Sequence, residues 1–360
     1  MKKILLPIMI LCTAVSANAD VRLFTGGELG ADSPSNNISD IANYRYFSGS
    51  DNISWGDPIS QLSVSGDVSE VTAFDKNFNW FGYGDFKYTQ TDGTVAEYSI
   101  PTTLRVATSI DTRNQSVFCY SKEDVVINIL LGSADAEEET LKFITATQRF
   151  KSKATSVTNI IRDSDAVQTR FEIHTSDNPI NVCRGTVNYG TLETGAINYI
   201  ETQRIRVDGG SLSIYADKIV AKSATTDSKI ASGAAFTLVV SNPSDGGGLS
   251  DVDPILTENG KFIVEEGAAL NFDFSALEGD YEDTFVLIQA AAFEGLTSEN
   301  VDNIVDVIGL EGKSWDFDII DVENAQQLTI TISPAVPEPA TVASILGILA
   351  LGFVAYRRRK

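Results

Sequence analysis

The chain has 360 residues, with 27 Lys or Arg against 49 Asp or Glu and a formal charge of −22 at pH 7. A surface of that sign excludes binding to nucleic acid or to anionic lipid through charge. A single histidine excludes a multi-histidine metal site.

Residues 1–19 read as a secretory signal peptide. Lys2 and Lys3 form the positive start, Ile4 to Val15 the apolar segment, and Ala17-Asn18-Ala19 the small-x-small cleavage site before Asp20. Cys12 raises the alternative of a lipoprotein signal, but Leu11 is too large for the position before a lipidated cysteine. The mature chain is expected to start at Asp20.

Residues 20–243 form the expected exported body. Its first forty residues are rich in turn formers, such as Ser33-Pro34-Ser35-Asn36-Asn37 and Ser48-Gly49-Ser50-Asp51-Asn52, and predict loops with short strands. Alternation then predicts strands at Ile59 to Val64, Glu70 to Phe74 and Val95 to Ile100. Trp80, Phe81, Tyr83, Phe86 and Tyr88 cluster around two glycines. Such aromatics can stack on sugar rings, but they more often line a half-buried strand pair, and the core reading is preferred.

From Thr103 to Val240 strands of three to eight residues recur between Gly, Asn, Asp and Ser, with no long helical period. The fold class is therefore all-β. Strand spacing fits a β-sandwich or a β-solenoid (a β-helix-like body). Phe171 to Ala221 favours the solenoid, because very short strands are punctuated there by Gly185, Gly190, Gly195, Gly209 and Gly210. Cys119 and Cys183 remain after loss of Cys12. In an oxidising compartment they form one disulfide or stay two buried thiols, and spacing alone does not decide between these.

Residues 244–255 contain Gly246-Gly247-Gly248 between aspartates and read as a linker or long loop. Residues 256–335 form an acidic β-rich segment, with only Lys261 and Lys313 as cations. Strands are predicted at Phe262 to Val264, Ala269 to Phe274, Thr284 to Gln289, Trp315 to Ile320 and Leu328 to Ile332. One helix is predicted near 298–308, where Val301, Ile304, Val305 and Ile308 share a helical face before Gly309. The run from Asn259-Gly260-Lys261 to Leu328-Thr329-Ile330 resembles the closing segment of autotransporter-style β-solenoid surface proteins.

No catalytic residue can be assigned. Glu172 and His174 share a strand face and can do acid–base work, but a lone histidine on a strand is more often structural. Acidic groups at Asp251/Asp253, Asp273, Asp280/Glu282/Asp283 and Asp316/Asp318 offer hard oxygens that suit Ca²⁺, yet chance adjacency is expected among 49 acidic residues. No metal or cofactor is expected.

Residues 336–360 carry the clearest signal. Pro337 and Pro339 flank Glu338 and hold it extended. Residues 340–356 carry no charge and predict a transmembrane helix. Its 17 residues reach roughly 25 Å, a little less than a bilayer core of about 30 Å. Arg357, Arg358, Arg359 and Lys360 form a basic stop on the cytoplasmic side, which puts the body outside. Proline–glutamate–proline, a short span and an arginine cluster, in that order, resemble the PEP-CTERM sorting signal. The resemblance implies recognition by an exosortase, a membrane processing enzyme, with cleavage near Pro337-Glu338-Pro339 after transient anchoring. It also implies association with exopolysaccharide and biofilm matrix. The expected role is a non-enzymatic surface or matrix protein of structural or adhesive type. The alternatives are a polysaccharide-degrading enzyme on a β-helix and a carbohydrate-binding module.

Overall fold

A computed structural model describes residues 21–24, 44–47, 53–55, 70–73, 86–89, 95–98, 103–106, 109–119, 124, 126–132, 140–151, 154–163, 168–173, 179–241, 254–277 and 284–334. The all-β expectation holds, and most of the pairing is parallel. From Gln168–Ile173 to Ala269–Ala276 each strand pairs with the strand three places later in the chain. Three ladders result.

The first ladder runs from the first half of Thr140–Lys151 through Gln168–Ile173, Tyr199–Thr202, Ile219–Ala221 and Leu256–Glu258 to Thr284–Ala290. The second leaves the other half of Thr140–Lys151 and passes through Pro179–Arg184, Arg204–Val207, Ser228–Ile230 and Lys261–Val264 to Ala292–Glu294. The third joins Glu70–Ala73, Thr103–Val106, Val126–Leu131, Val157–Arg162, Thr186–Tyr189, Ser211–Tyr215, Ala235–Ser241, Ala269–Ala276 and Val305–Ile308. Nine strands about 4.8 Å apart give this ladder a length of roughly 38 Å.

Alternation inside each strand decides which side chains face the core. Thr186–Tyr189 and Ser211–Tyr215 bury Val187, Tyr189, Leu212 and Ile214, and leave the residues between them half-exposed. Parallel register stacks like on like. In the first ladder Phe143, Phe171, Ile200, Ile219, Leu256 and Ile288 form one continuous buried column. Phe171 meets Phe143 edge-on at 5.2 Å and Tyr189 at 5.3 Å, which links this column to the third ladder. Outside, Asn188 donates to Asn159 at 2.8 Å, and Asn159 to Asn128 at 2.9 Å. These amides satisfy one another across three strands of the third ladder.

The turns between second and third ladders need glycine. Gly185 and Gly210 have φ of 76° and 73°. A Cβ on Gly210 would lie 2.2 Å from the Gly185 carbonyl oxygen. The Ser211 amide donates to that oxygen at 2.9 Å, so the backbone bonding continues around the corner.

The expected helix near 298–308 is shortened to Val301–Ile304. Val305–Ile308 is a strand instead, paired with Ala269–Ala276 through Val305↔Leu270 and Val307↔Phe272. The four apolar residues that suggested one helical face do not share one. Val301 and Val305 are buried, while Ile308 is 47% exposed. Ladder hydrogen bonds and two buried positions override a weak local period. The parallel stacking ends at the C-terminal side, where Ala325–Pro334 pairs antiparallel with both Thr284–Ala290 and Lys313–Val322.

Nearer the N-terminus, Val21–Phe24 pairs antiparallel with Tyr44–Phe47, and Ile53–Trp55, Phe86–Thr89 and Val95–Tyr98 form a small antiparallel sheet. The signal peptide, the Ile59 to Val64 strand, Trp80 to Tyr83 of the aromatic cluster, His174, residues 244–253 of the linker and the span at 340–356 lie outside the described residues. Among the described residues no helix is long and apolar enough to cross a membrane.

Candidate functional site

Charged side chains gather on the outer side of the first ladder. Gln168–Ile173 and Tyr199–Thr202 carry matching patterns, Arg170 with Glu172 and Tyr199 with Glu201, each two residues apart and so on one strand face. Register sets Arg170 beside Tyr199 and Glu172 beside Glu201. Both carboxylates are nearly buried, at 6% and 5% exposure. Two adjacent buried anions are costly unless cations reach them. Arg170 Nε is paired with Glu172, and its Nη2 lies 3.5 Å from Glu201. Lys222 Nζ approaches Glu201 at 2.6 Å from the next strand's end. The Tyr199 hydroxyl donates to Glu201 at 3.1 Å, and the Arg170 guanidinium lies 4.1 Å above the Tyr199 ring.

Burial pushes the Tyr199 phenol above its ordinary value, and the Glu201 carboxylate adds to this, so the hydroxyl stays a donor. Burial opposes the charge on Arg170, but the Glu172 bond and the nearby Glu201 outweigh it and hold the guanidinium charged. Two carboxylates and two cations make the group neutral in sum. A glycosidase pair needs one carboxyl that gives up a proton and another that stays ionised, both facing substrate. Here the carboxylates face cations, and the geometry ties consecutive strands together.

His174, the expected partner of Glu172, lies outside the described residues; among the described residues Glu172 pairs with Arg170. The signal that could have found it is the repeated cation-or-tyrosine-x-glutamate pattern at 170–172 and 199–201.

A second acidic position lies inside. Glu258 ends the Leu256–Glu258 strand and is 4% exposed. Ser228 Oγ donates to its Oε1 at 2.7 Å and accepts the Ile205 amide at 2.8 Å, while Oε2 has no partner. Burial pushes this carboxyl up to about 8; the Ser228 bond opposes the shift and nearby Asp227 adds to it.

Of the acidic groups expected to offer oxygens, Asp273 accepts the Ser275 amide of its own strand at 2.9 Å. Asp318 accepts Ser298 Oγ at 2.8 Å. Asp251, Asp253, Asp280, Glu282 and Asp283 lie outside the described residues. Among the described residues no three acidic, cysteine or histidine side chains converge as metal ligands would.

Cys119 and Cys183 lie on strands either side of Thr140–Lys151. Cys119 is in register with Phe150, and Phe150 with Val182. The Cys183 thiol donates to Asn181 Oδ1 at 3.4 Å.

At the C-terminal end Pro334 closes the last strand opposite Lys313, and residues 335–360 follow directly. Those residues match the family model of the PEP-CTERM protein-sorting motif. The chain carries a PEP-CTERM sorting signal. Pro337, Glu338, Pro339 and Arg357 to Arg359 all fall inside the match. The PEP-CTERM signal implies an exported protein, sent to the cell envelope and recognised by an exosortase-type processing enzyme. No curated protein matches the chain, and no solved structure does.

Proposed function

We propose that this PEP-CTERM protein is a structural surface or matrix protein whose working part is a β-solenoid. Its sorting tail holds it in the membrane through residues 340–356 until cleavage near Pro337-Glu338-Pro339. The observation that carries the reading is the parallel pairing of each strand from Gln168–Ile173 to Ala269–Ala276 with the third one after it, around a continuous apolar core. Such a stack is stable along its length through neighbour contacts alone, and it makes a stiff spacer. The neutralised Arg170–Glu172–Glu201–Lys222 group supports the same reading, because its charges are spent on joining strands. Exopolysaccharide is the matrix partner this role calls for. A chain of net charge −22 meets it through hydrogen bonds rather than through cationic attraction to acidic sugars.

The test follows the native chain and its Glu338→Ala variant in membrane, surface and medium fractions by intact mass, alongside matrix cohesion in a strain lacking the protein. A wild-type body that ends near Pro337 outside the membrane, with weakened matrix in the deletion strain, is the expected result. A membrane-only chain that runs to Lys360 would overturn the transient anchor. Unchanged cohesion would overturn the structural role.

A further inference from the structure

The end of the body where the tail leaves carries exposed apolar side chains. Trp315 is 44% exposed and pairs with Ile332, two residues before Pro334. Ile308, 47% exposed, ends the Val305–Ile308 strand, and only the short turn from Gly309 to Gly312 separates it from Lys313, the partner of Pro334. The other end of the same hairpin exposes Ile320, at 39%, but its turn is acidic. Val322↔Ala325 closes it beside Asp321 and Glu323. Ten residues at about 3.3 Å put that acidic turn roughly 30 Å from Trp315's end.

The chain outside this structure says what lies beside Trp315. Five residues, 335–339, separate Pro334 from the uncharged run that begins at Ala340. Fully extended, they reach at most about 18 Å. While the tail is in the membrane, the Lys313–Trp315 end of the body is therefore kept within about 18 Å of the start of the span. Trp is the side chain that favours the membrane interface, with a large apolar ring and one N–H donor for the headgroup region.

We propose that Trp315 seats in the lipid headgroup region before processing and that it orients the body with the acidic hairpin turn away from the membrane. The contact exists only while the tail is attached, because a single Trp beside Glu311 and Asp316 is too weak to hold a strongly acidic body on lipid by itself. This inference rests on the membrane anchor proposed above.

The full chain is reconstituted, without any processing enzyme, into phosphatidylethanolamine/phosphatidylglycerol vesicles doped with lipid brominated near the headgroup. The chain holds three tryptophans, Trp55, Trp80 and Trp315. Emission is read in the wild type, in Trp315→Phe and in a Trp55→Phe/Trp80→Phe variant, with flotation as a separate measure of anchoring. Bromine quenching in the wild type that Trp315→Phe abolishes, and that proteolytic removal of the tail also abolishes, is the expected result. The wild-type and Trp315→Phe comparison stands even if the double variant fails to fold. Chains that float but show no Trp315-dependent quenching would overturn the proposal and leave the anchor standing; in that case the end faces the processing enzyme or water. Chains that do not float would remove the anchor, and the proposal with it.

Discussion

Ser228 Oγ donates a 2.7 Å hydrogen bond to Glu258 Oε1 across two turns of the chain, inside a wall otherwise built of Ile219, Leu256 and Phe262. The second Glu258 oxygen meets no partner, and no cation is paired with the carboxyl among the described residues. At neutral pH a carboxyl group in that position holds its proton.

Stability should therefore fall as pH rises. Glu258 ionises near its ordinary 4.5 in the unfolded chain and at about 8 when folded. Between those values the folded state binds the extra proton, so the slope of unfolding free energy with pH is negative from this group. Its penalty grows through that window and is full above about pH 8, at a size of a few kcal/mol. Glu258→Gln keeps the shape and removes the titration. Urea midpoints at pH 5, 7 and 9 should fall less steeply in the variant, and at pH 9 the variant should be the more stable protein. Parallel slopes in the two proteins would assign the pH dependence elsewhere.

Thr158 is a polar side chain placed in an apolar column. It is fully buried between Ile127 and Val187 on neighbouring strands, and its hydroxyl finds no hydrogen bond. A buried unsatisfied hydroxyl costs about 1–3 kcal/mol. Thr158→Val replaces it with a methyl of similar size, and should raise the urea midpoint by an amount equivalent to about 1 kcal/mol. Thr158→Ser leaves the hydroxyl, adds a methyl-sized void and should lower it.

Strand positions were largely legible in the sequence, because alternation is local. Phe262 to Val264, Ala269 to Phe274 and Leu328 to Ile332 fall within observed strands. Which strands pair was not legible. Ile200 meets Ile219, 19 residues on, but Ile219 meets Leu256, 37 residues on. Turn lengths that vary this much erase any fixed period, although the strands from Gln168–Ile173 to Ala269–Ala276 pair by one rule. The clusters were hidden for the same reason: Glu258 and Ser228 are 30 residues apart, and Arg170 and Glu201 31. The helix near 298–308 is shorter than its period suggests, because a tertiary ladder takes Val305–Ile308. The sorting signal was legible because it is contiguous and is read by an enzyme as sequence.

Glycine corners give a paired test. Gly210 and Gly233 have nearly equal φ, 73° and 74°, at turns entering successive strands of the third ladder. Alanine at either pays the left-handed cost of about 1–2 kcal/mol. Only at Gly210 does the added carbon collide with backbone, 2.2 Å from Gly185 O and 2.7 Å from Gly185 N; at Gly233 nothing lies within 4 Å. Gly210→Ala should therefore destabilise by clearly more than Gly233→Ala, by at least about 2 kcal/mol in all. Equal losses in urea melts would mean that the corner relaxes and that the close strand approach is not a constraint.

Cys119 and Cys183 test the register itself. Cys119 lies opposite Phe150, and Phe150 opposite Val182, so two strand spacings separate Cys119 from the neighbourhood of Cys183. At about 4.8 Å per spacing the backbone separation is roughly 10 Å, beyond the ~7 Å that a disulfide spans. The sequence left both a disulfide and two buried thiols open; the register argues against the disulfide. Protein recovered from the oxidising compartment, denatured and alkylated without reductant, should gain mass at both cysteines, and prior reduction should leave its urea midpoint unchanged. A peptide linking Cys119 to Cys183 in a non-reducing digest would require Thr140–Lys151 to leave its place between them, and the ladders would have to be redrawn from that strand outward.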